Sequence, residues 1–174
     1  MRLFFTAALA CAALSLSAQG LSAQTLSGRR APSFSLPDSS FTQHDILDYR
    51  GRWLIIDFMK TDCPHCKALT KTLETVKAKY GEKIAILSVV VPPDNMATVA
   101  RYIADNHVTA PIVFDGSQVA ASYFKITPTN GGHFDTPHWF AIDPSGMIAH
   151  DWGQPSADSA EWTKQLDTLI AARK

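Results

Sequence analysis

Cysteine is scarce in this chain, with three among 174 residues. That scarcity excludes a disulfide framework of the kind that staples small exported domains. Charge is sparse and balanced, with 16 Lys and Arg against 16 Asp and Glu and a formal net charge of +0. No basic run and no Lys/Arg stripe is present, which excludes the electrostatic footprint of a nucleic-acid binder or an anionic-membrane binder. Repeats and low-complexity tracts are also lacking. The longest apolar stretch, at the N-terminus, is broken by Ser15, Ser17 and Gln19, short of the about 20 residues a spanning helix needs.

What stands at the N-terminus has the pattern of a secretory signal. Arg2 gives a positive n-region, Leu3 to Leu16 is apolar and small, and Ala18-Gln19-Gly20 offers small residues at both cleavage positions. Ala23 is a later option, so residues 1–23 are expected to be a leader cut near 20–24. An uncleaved membrane anchor ranks below this reading. Cys11, in Ala8-Leu9-Ala10-Cys11, is too early and too poor a match for lipid attachment. Cleavage would leave a periplasmic chain of about 150 residues, enough for one domain with a real core. The expected division is a flexible start over 24–33 and a single domain over 34–174.

Only Cys63 and Cys66 would remain, two residues apart, after the apolar run Trp53-Leu54-Ile55-Ile56-Asp57-Phe58-Met59. So short a loop constrains an unfolded chain little, so the pair reads as reactive rather than structural. The order predicts a buried strand, a turn, and a helix opened by Pro64, whose missing N–H is no loss at the first helical position. Cys63 then falls at the N-cap, where free N–H groups and the helix dipole favour a thiolate. A thiolate there can attack a disulfide, and Cys66 is close enough to resolve the mixed disulfide.

Around this motif the pattern is α/β. Phe34–Asp38 and Phe41-Thr42 read as two short strands, a small N-terminal β extension. The helix from Pro64 to about Tyr80 carries Leu69, Leu73, Val76 and Tyr80 on one stripe and ends at Gly81. Ile84–Val91 reads as a strand buried on both faces. Pro92-Pro93 stops it, and Asp94 is expected to cap a helix carrying Met96, Val99, Ala100 and Ile103. Pro111–Phe114 is a strand and Ser117–Phe124 a short helix. After a loop at 125–136, His138–Ile142 and Met147–Trp152 form a hairpin around Asp143-Pro144-Ser145-Gly146. A last helix over about 157–172 presents Trp162, Leu166, Leu169 and Ile170. The expected architecture is a central mixed sheet with helices on both faces.

These residues resemble a known group. Ala31-Pro32-Ser33-Phe34, Tyr49-Arg50-Gly51-Arg52, Asp57-Phe58 before Cys63-Pro64-His65-Cys66, and Thr136-Pro137-His138-Trp139-Phe140 before Asp143-Pro144-Ser145-Gly146 are similar to the exported thioredoxin-like proteins of the TlpA/ResA group, relatives of the AhpC/TSA proteins. The resemblance covers roughly 31–172. It implies a thioredoxin-like fold and a thiol–disulfide oxidoreductase whose Cys63–Cys66 pair forms a redox-active disulfide. It further implies that Pro137 is a cis proline facing the cysteines, that Thr136 presents its backbone to a substrate chain, and that Asp57 assists proton transfer to and from Cys66. An acid inside so apolar a strand is costly to bury ionised, which by itself predicts a raised pKa suited to proton transfer.

The dipeptide between the cysteines departs from the reducing members of the group, many of which carry proline just before the second cysteine. Pro64-His65 is similar instead to the dipeptide of the periplasmic oxidase DsbA, whose thiolate has a pKa of about 3.5 and whose potential is about −120 mV. His65 near the Cys63 sulfur would stabilise the anion and, with Pro64, tune the potential. The direction of electron flow is left open by the sequence.

A second reading is copper binding by Cys63, Cys66 and a distal histidine, His138 or His133, as in SCO-type chaperones, although those resemble CxxxC rather than CxxC. Zinc would need two further ligands at recognisable spacing. Covalent haem needs His after the second cysteine, where Lys67 stands, and peroxidase chemistry needs a Thr or Ser at Lys60 and a Pro at Ile56. The expectation is therefore no cofactor, protein or peptide thiols and disulfides as substrates, a membrane or periplasmic redox partner, and a monomer.

Overall fold

Trp53–Met59 forms β3, and every one of its seven residues is buried. An apolar, β-branched run covered on both faces belongs at the centre of a sheet. It pairs in parallel with β4 (Ile84–Val90), from Trp53 opposite Ile84 to Met59 opposite Val90. On its other side it pairs antiparallel with β6 (His138–Ile142), Phe58 opposite His138. The short β5 (Ile112–Phe114) and β7 (Ile148–Trp152) complete a five-stranded mixed sheet in the order β5-β4-β3-β6-β7. The computed structural model describes residues 26–172 apart from 130, 158 and 159, so the expected leader over 1–23 lies outside the described residues.

Side chains alternate across the sheet, and this sorts the helices. Leu54, Ile56 and Phe58 share one face with Leu87, Val89 and Phe140, against α3 (Gln118–Tyr123) and the N-terminal segment through Ala31, Phe34 and Ile46. Trp53 and Ile55 share the opposite face with Ile84, Ile86 and Trp139, against Leu69, Leu73 and Val76 of α1 (Pro64–Tyr80) and Trp162 and Leu166 of α4 (Glu161–Ala172). A third cluster joins Met59, Cys66, Val90 and Ile112 to Val99 and Tyr102 of α2 (Met96–Asn106). Asp57 is in phase with Ile55 and Met59, so it points under α1. The helices and a mixed sheet agree with the expected thioredoxin-like architecture.

Three local expectations need correction. The N-terminal hairpin pairs β1 (Ser35–Pro37) with β2 (Gln43–Asp45), not with Phe41-Thr42. The Asp38 carboxylate accepts from the N–H groups of Ser40 and Thr42, which draws both residues into the turn and leaves Phe41 at φ 60° and exposed. The cap of α2 is Asn95, whose Oδ1 accepts from Ala97 and Thr98 N–H while Thr98 Oγ1 accepts from the Asn95 N–H, a reciprocal box. Asp94 lies one residue too early and is committed elsewhere. The last helix opens at Glu161 rather than 157, after a separate 3-10 turn over Gln154–Ser156 with Pro at its start.

Candidate active site

The C-terminal end of β3 delivers the chain into a turn closed by Cys63 N–H donating to Lys60 O at 3.3 Å. Cys63 is then the N-cap of α1, in extended backbone at φ −90° and ψ 118°, with Pro64 at the first helical position. Its Sγ accepts from Cys66 N–H at 3.2 Å, the place a Ser or Asp oxygen would take in an ordinary cap. Negative charge on this sulfur is met by an oriented N–H and the positive end of the helix dipole. On the other side, the Thr136 carbonyl lies 3.7 Å from the sulfur and accepts from the thiol. The Thr136–Pro137 peptide is cis, as is Pro92–Pro93 on the neighbouring loop.

The two cysteines are unlike. Both are free thiols, Cys63 partly exposed and Cys66 fully buried. Burial pushes the Cys66 thiol far up, and its hydrogen bond with Cys63 and the nearby Asp57 charge push the same way, against the Lys60 backbone. Cys66 therefore holds its proton until a base removes it.

Asp57 is the acid nearest that problem. It is fully buried, and its Oδ1 has no hydrogen-bond partner. Ser88, its register partner on β4, donates to Oδ2 from 3.5 Å. Burial raises its pKa to about 7, with the Ser88 hydrogen bond pulling the other way. A carboxyl that exchanges its proton near neutrality can carry one to and from a thiol.

Neighbouring groups fix the frame. Thr70, one turn beyond Cys66, donates to the Cys66 carbonyl at 3.0 Å and accepts from the Tyr102 hydroxyl at 2.7 Å. Burial, offset in part by Thr70, pushes Tyr102 up to about 12, so it stays a neutral donor. Asp94 accepts from Thr61 N–H at 3.1 Å, from the Thr61 hydroxyl, and from Thr98 Oγ1 at 2.8 Å. It thereby ties the turn before Cys63 to the start of α2. Phe134 stacks on Phe124 at 4.3 Å and meets Phe58 edge-on at 6.0 Å, anchoring the loop that ends in Thr136.

The structure thus brings Cys63, Cys66, Asp57, Thr136 and Pro137 to one end of the sheet, with His65 exposed on the first turn of α1. The distal histidines go elsewhere. His138 Nε2 meets Asp151 at 3.0 Å, and burial of Asp151 is outweighed by hydrogen bonds from His138 and Ser27 that hold its carboxyl below the usual range. His133 pairs with Asp135 at 3.3 Å on the surface. Among the described residues no three His, Cys, Asp or Glu gather as a metal-holding group, so the Cys63, Cys66, His138 copper set is not assembled. Sequence reasoning missed Ser88, Thr70, Tyr102, Asp94 and Thr61. A lone Ser inside the apolar run Ile84–Val91 and a Thr four residues after Cys66 were readable signals; the Asp94–Thr61 link joins two loops and left none.

Comparison with known proteins bears on the fold and the family. Thioredoxin-like protein YneN of Bacillus subtilis is 28% identical over 123 residues, 70% of this chain and 68% of the relative. Thiol-disulfide oxidoreductase ResA of Geobacillus thermodenitrificans is 27% identical over 124 residues, 70% of this chain and 66% of the relative. The chain thus spans about two thirds of the length of these relatives. A thiol-disulfide oxidoreductase from Bacteroides fragilis superposes with a TM-score of 0.61 at 21% identity, covering 79% of this chain and 99% of that one. The thioredoxin domain of a thiol-disulfide oxidoreductase from Bacteroides vulgatus does so with 0.64 at 18%, covering 79% and 96%. These likenesses give the thioredoxin-like fold. The family model for AhpC/TSA matches residues 27–151, a stretch that runs from the N-terminal segment into β7 and holds both cysteines, and so the chain belongs to the AhpC/TSA family.

Proposed function

We propose that this protein is a thiol–disulfide oxidoreductase that exchanges disulfides with exported proteins through the Cys63–Cys66 couple. One observation carries the reading: a partly exposed sulfur capping a helix sits beside a fully buried thiol that keeps its proton, over a buried acid that titrates near neutrality. In the reducing direction the Cys63 thiolate attacks a substrate disulfide, forming a mixed disulfide and releasing one substrate thiolate. Asp57 accepts the Cys66 proton, and Cys66 attacks the Cys63 sulfur. That step closes the Cys63–Cys66 disulfide and releases the second thiolate, two electrons having passed to the substrate. In the oxidising direction each step reverses.

Pro64 and His65 tune the couple, and Thr136 and Pro137 form one wall of the substrate groove. The reading includes export through the leader at 1–23, a membrane or periplasmic redox partner that resets the couple, and action as a monomer. Among the described residues no helix is long and apolar enough to cross a membrane. The direction of flow follows from the potential of the couple and its partner.

The test is a trap. Cys66→Ser should accumulate mixed disulfides with exported proteins through Cys63, and a second Cys63→Ser change should abolish them. A Cys66→Ser chain that forms no adducts, in a protein whose wild type leaves insulin disulfides untouched, would sink the proposal.

A further inference from the structure

Beside Cys63, a cleft of about 430 Å³ that Thr136 does not line opens between α1 and α2. That volume is in the range of small-molecule sites, roughly 300–1,000 Å³. Cys63 lines it, and so do Asp62 from the preceding turn, Lys67 from α1, and Arg101, Asp105 and Asn106 from α2. Neither Asp62, Lys67, Arg101 nor Asp105 has an ion pair or side-chain hydrogen bond among the described residues. Arg101 and Asp105 stand four apart, on one face of α2. Asn106 donates from Nδ2 to the Tyr102 carbonyl at 2.9 Å, which leaves its buried Oδ1 without a partner. Two cations, two anions and one residue with an unused acceptor therefore line one cleft together with the reactive Cys63.

We infer that this cleft binds small peptide disulfides that carry both free carboxylate and free ammonium groups, and presents their sulfur to Cys63. A purely anionic ligand would gain from Lys67 and Arg101 and lose to Asp62 and Asp105, and a purely cationic one the reverse. A zwitterionic peptide meets a complement at each end. The inference rests on the proposed oxidoreductase reading and names a substrate class for it. The reduced protein plus one peptide disulfide gives the Cys63–Cys66 disulfide plus two peptide thiols. One S–S bond is broken and one formed, and the two protons pass from the protein thiols to the peptide thiolates.

The experiment compares two probes, glutathione disulfide and the uncharged bis(2-hydroxyethyl) disulfide, as substrates of the reduced full chain. The readout is the ratio of their kcat/KM values, which cancels any general change in Cys63 reactivity. In wild type the ratio should favour glutathione disulfide. Arg101→Gln with Asp105→Asn should lower it by about three- to tenfold, the scale of exposed charge pairs. High salt should shrink the wild-type preference toward the variant's value, because exposed charges are screened. A ratio unchanged in the variant, or a wild-type preference indifferent to salt, would overturn the cleft assignment while leaving disulfide exchange standing. A wild type that reduces neither probe nor insulin would instead overturn the oxidoreductase reading itself.

Discussion

Replacing Asp57 by Asn removes one titration and little else, because the two side chains are nearly isosteric. The unfolded carboxyl has a pKa of about 3.9; in the folded chain burial raises Asp57 to about 7. Between those values the native state keeps a proton that the unfolded state releases, so folding stability must fall as pH rises. At 1.36 kcal/mol per unit, the wild type loses about 4 kcal/mol across that window, fully stabilised below about pH 4 and flat again above about pH 7. Asp57→Asn lacks this term. The assay is urea unfolding of both proteins in the dithiol form at several pH values, with stability compared as wild type minus variant. The difference should tilt downward by about 4 kcal/mol between about pH 4 and about pH 7. Parallel stability curves would refute the claim that the Asp57 carboxyl is buried and protonated at mild acidity. The same substitution should slow the resolving step by about 10²-fold, the scale of a lost general base, with mixed-disulfide lifetime as the readout.

Other outcomes follow from the same geometry. A brief native pulse of iodoacetamide should label Cys63 and spare Cys66, with both labelled in denaturant; equal labelling of the two would contradict the division into an exposed and a buried sulfur. Asp94→Ala strips the acceptor from Thr61 and Thr98 and should cost about 1–3 kcal/mol in urea unfolding, while Asp94→Asn keeps part of it; a neutral Asp94→Ala would show that the tie is slack. Leu73→Ala opens a cavity under α1 and should cost about 2–5 kcal/mol, checked by the same unfolding. Phe134→Ala removes the stack on Phe124 and should raise protease cleavage within 125–135, leaving the sheet's exchange-protected amides unchanged.

The legible part of the fold was the part written in unbroken apolar runs. Trp53–Met59 and Ile84–Val90 are continuous because both their faces are covered, and Pro64 beside Cys63 marks a helix start whatever lies around it. Boundaries set by polar side chains were less legible. Phe41 looked like strand, yet Asp38 folded it into a turn; Asp94 looked like a cap, yet Asn95 took the cap and Asp94 reached back to Thr61. Cys63, Cys66 and Asp57 could be picked out because they share one strand–turn–helix segment. Ser88 and Tyr102 reach the same place from other elements, through register and helix packing that no local pattern encodes. His138 shows the converse: it is a candidate by residue type to join the cysteines, but its Nε2 is taken up by Asp151.

The central claim is that Cys63 and Cys66 form a single two-electron couple. An equilibrium titration of the full chain against defined glutathione mixtures, read by alkylation of the remaining thiols, tests it most directly. Both thiols should disappear together in one two-electron transition with an intramolecular Cys63–Cys66 bond as product, at a potential that gives the direction of flow once set against that of the redox partner. Independent loss of the two thiols, or a product linked only between chains, would contradict it.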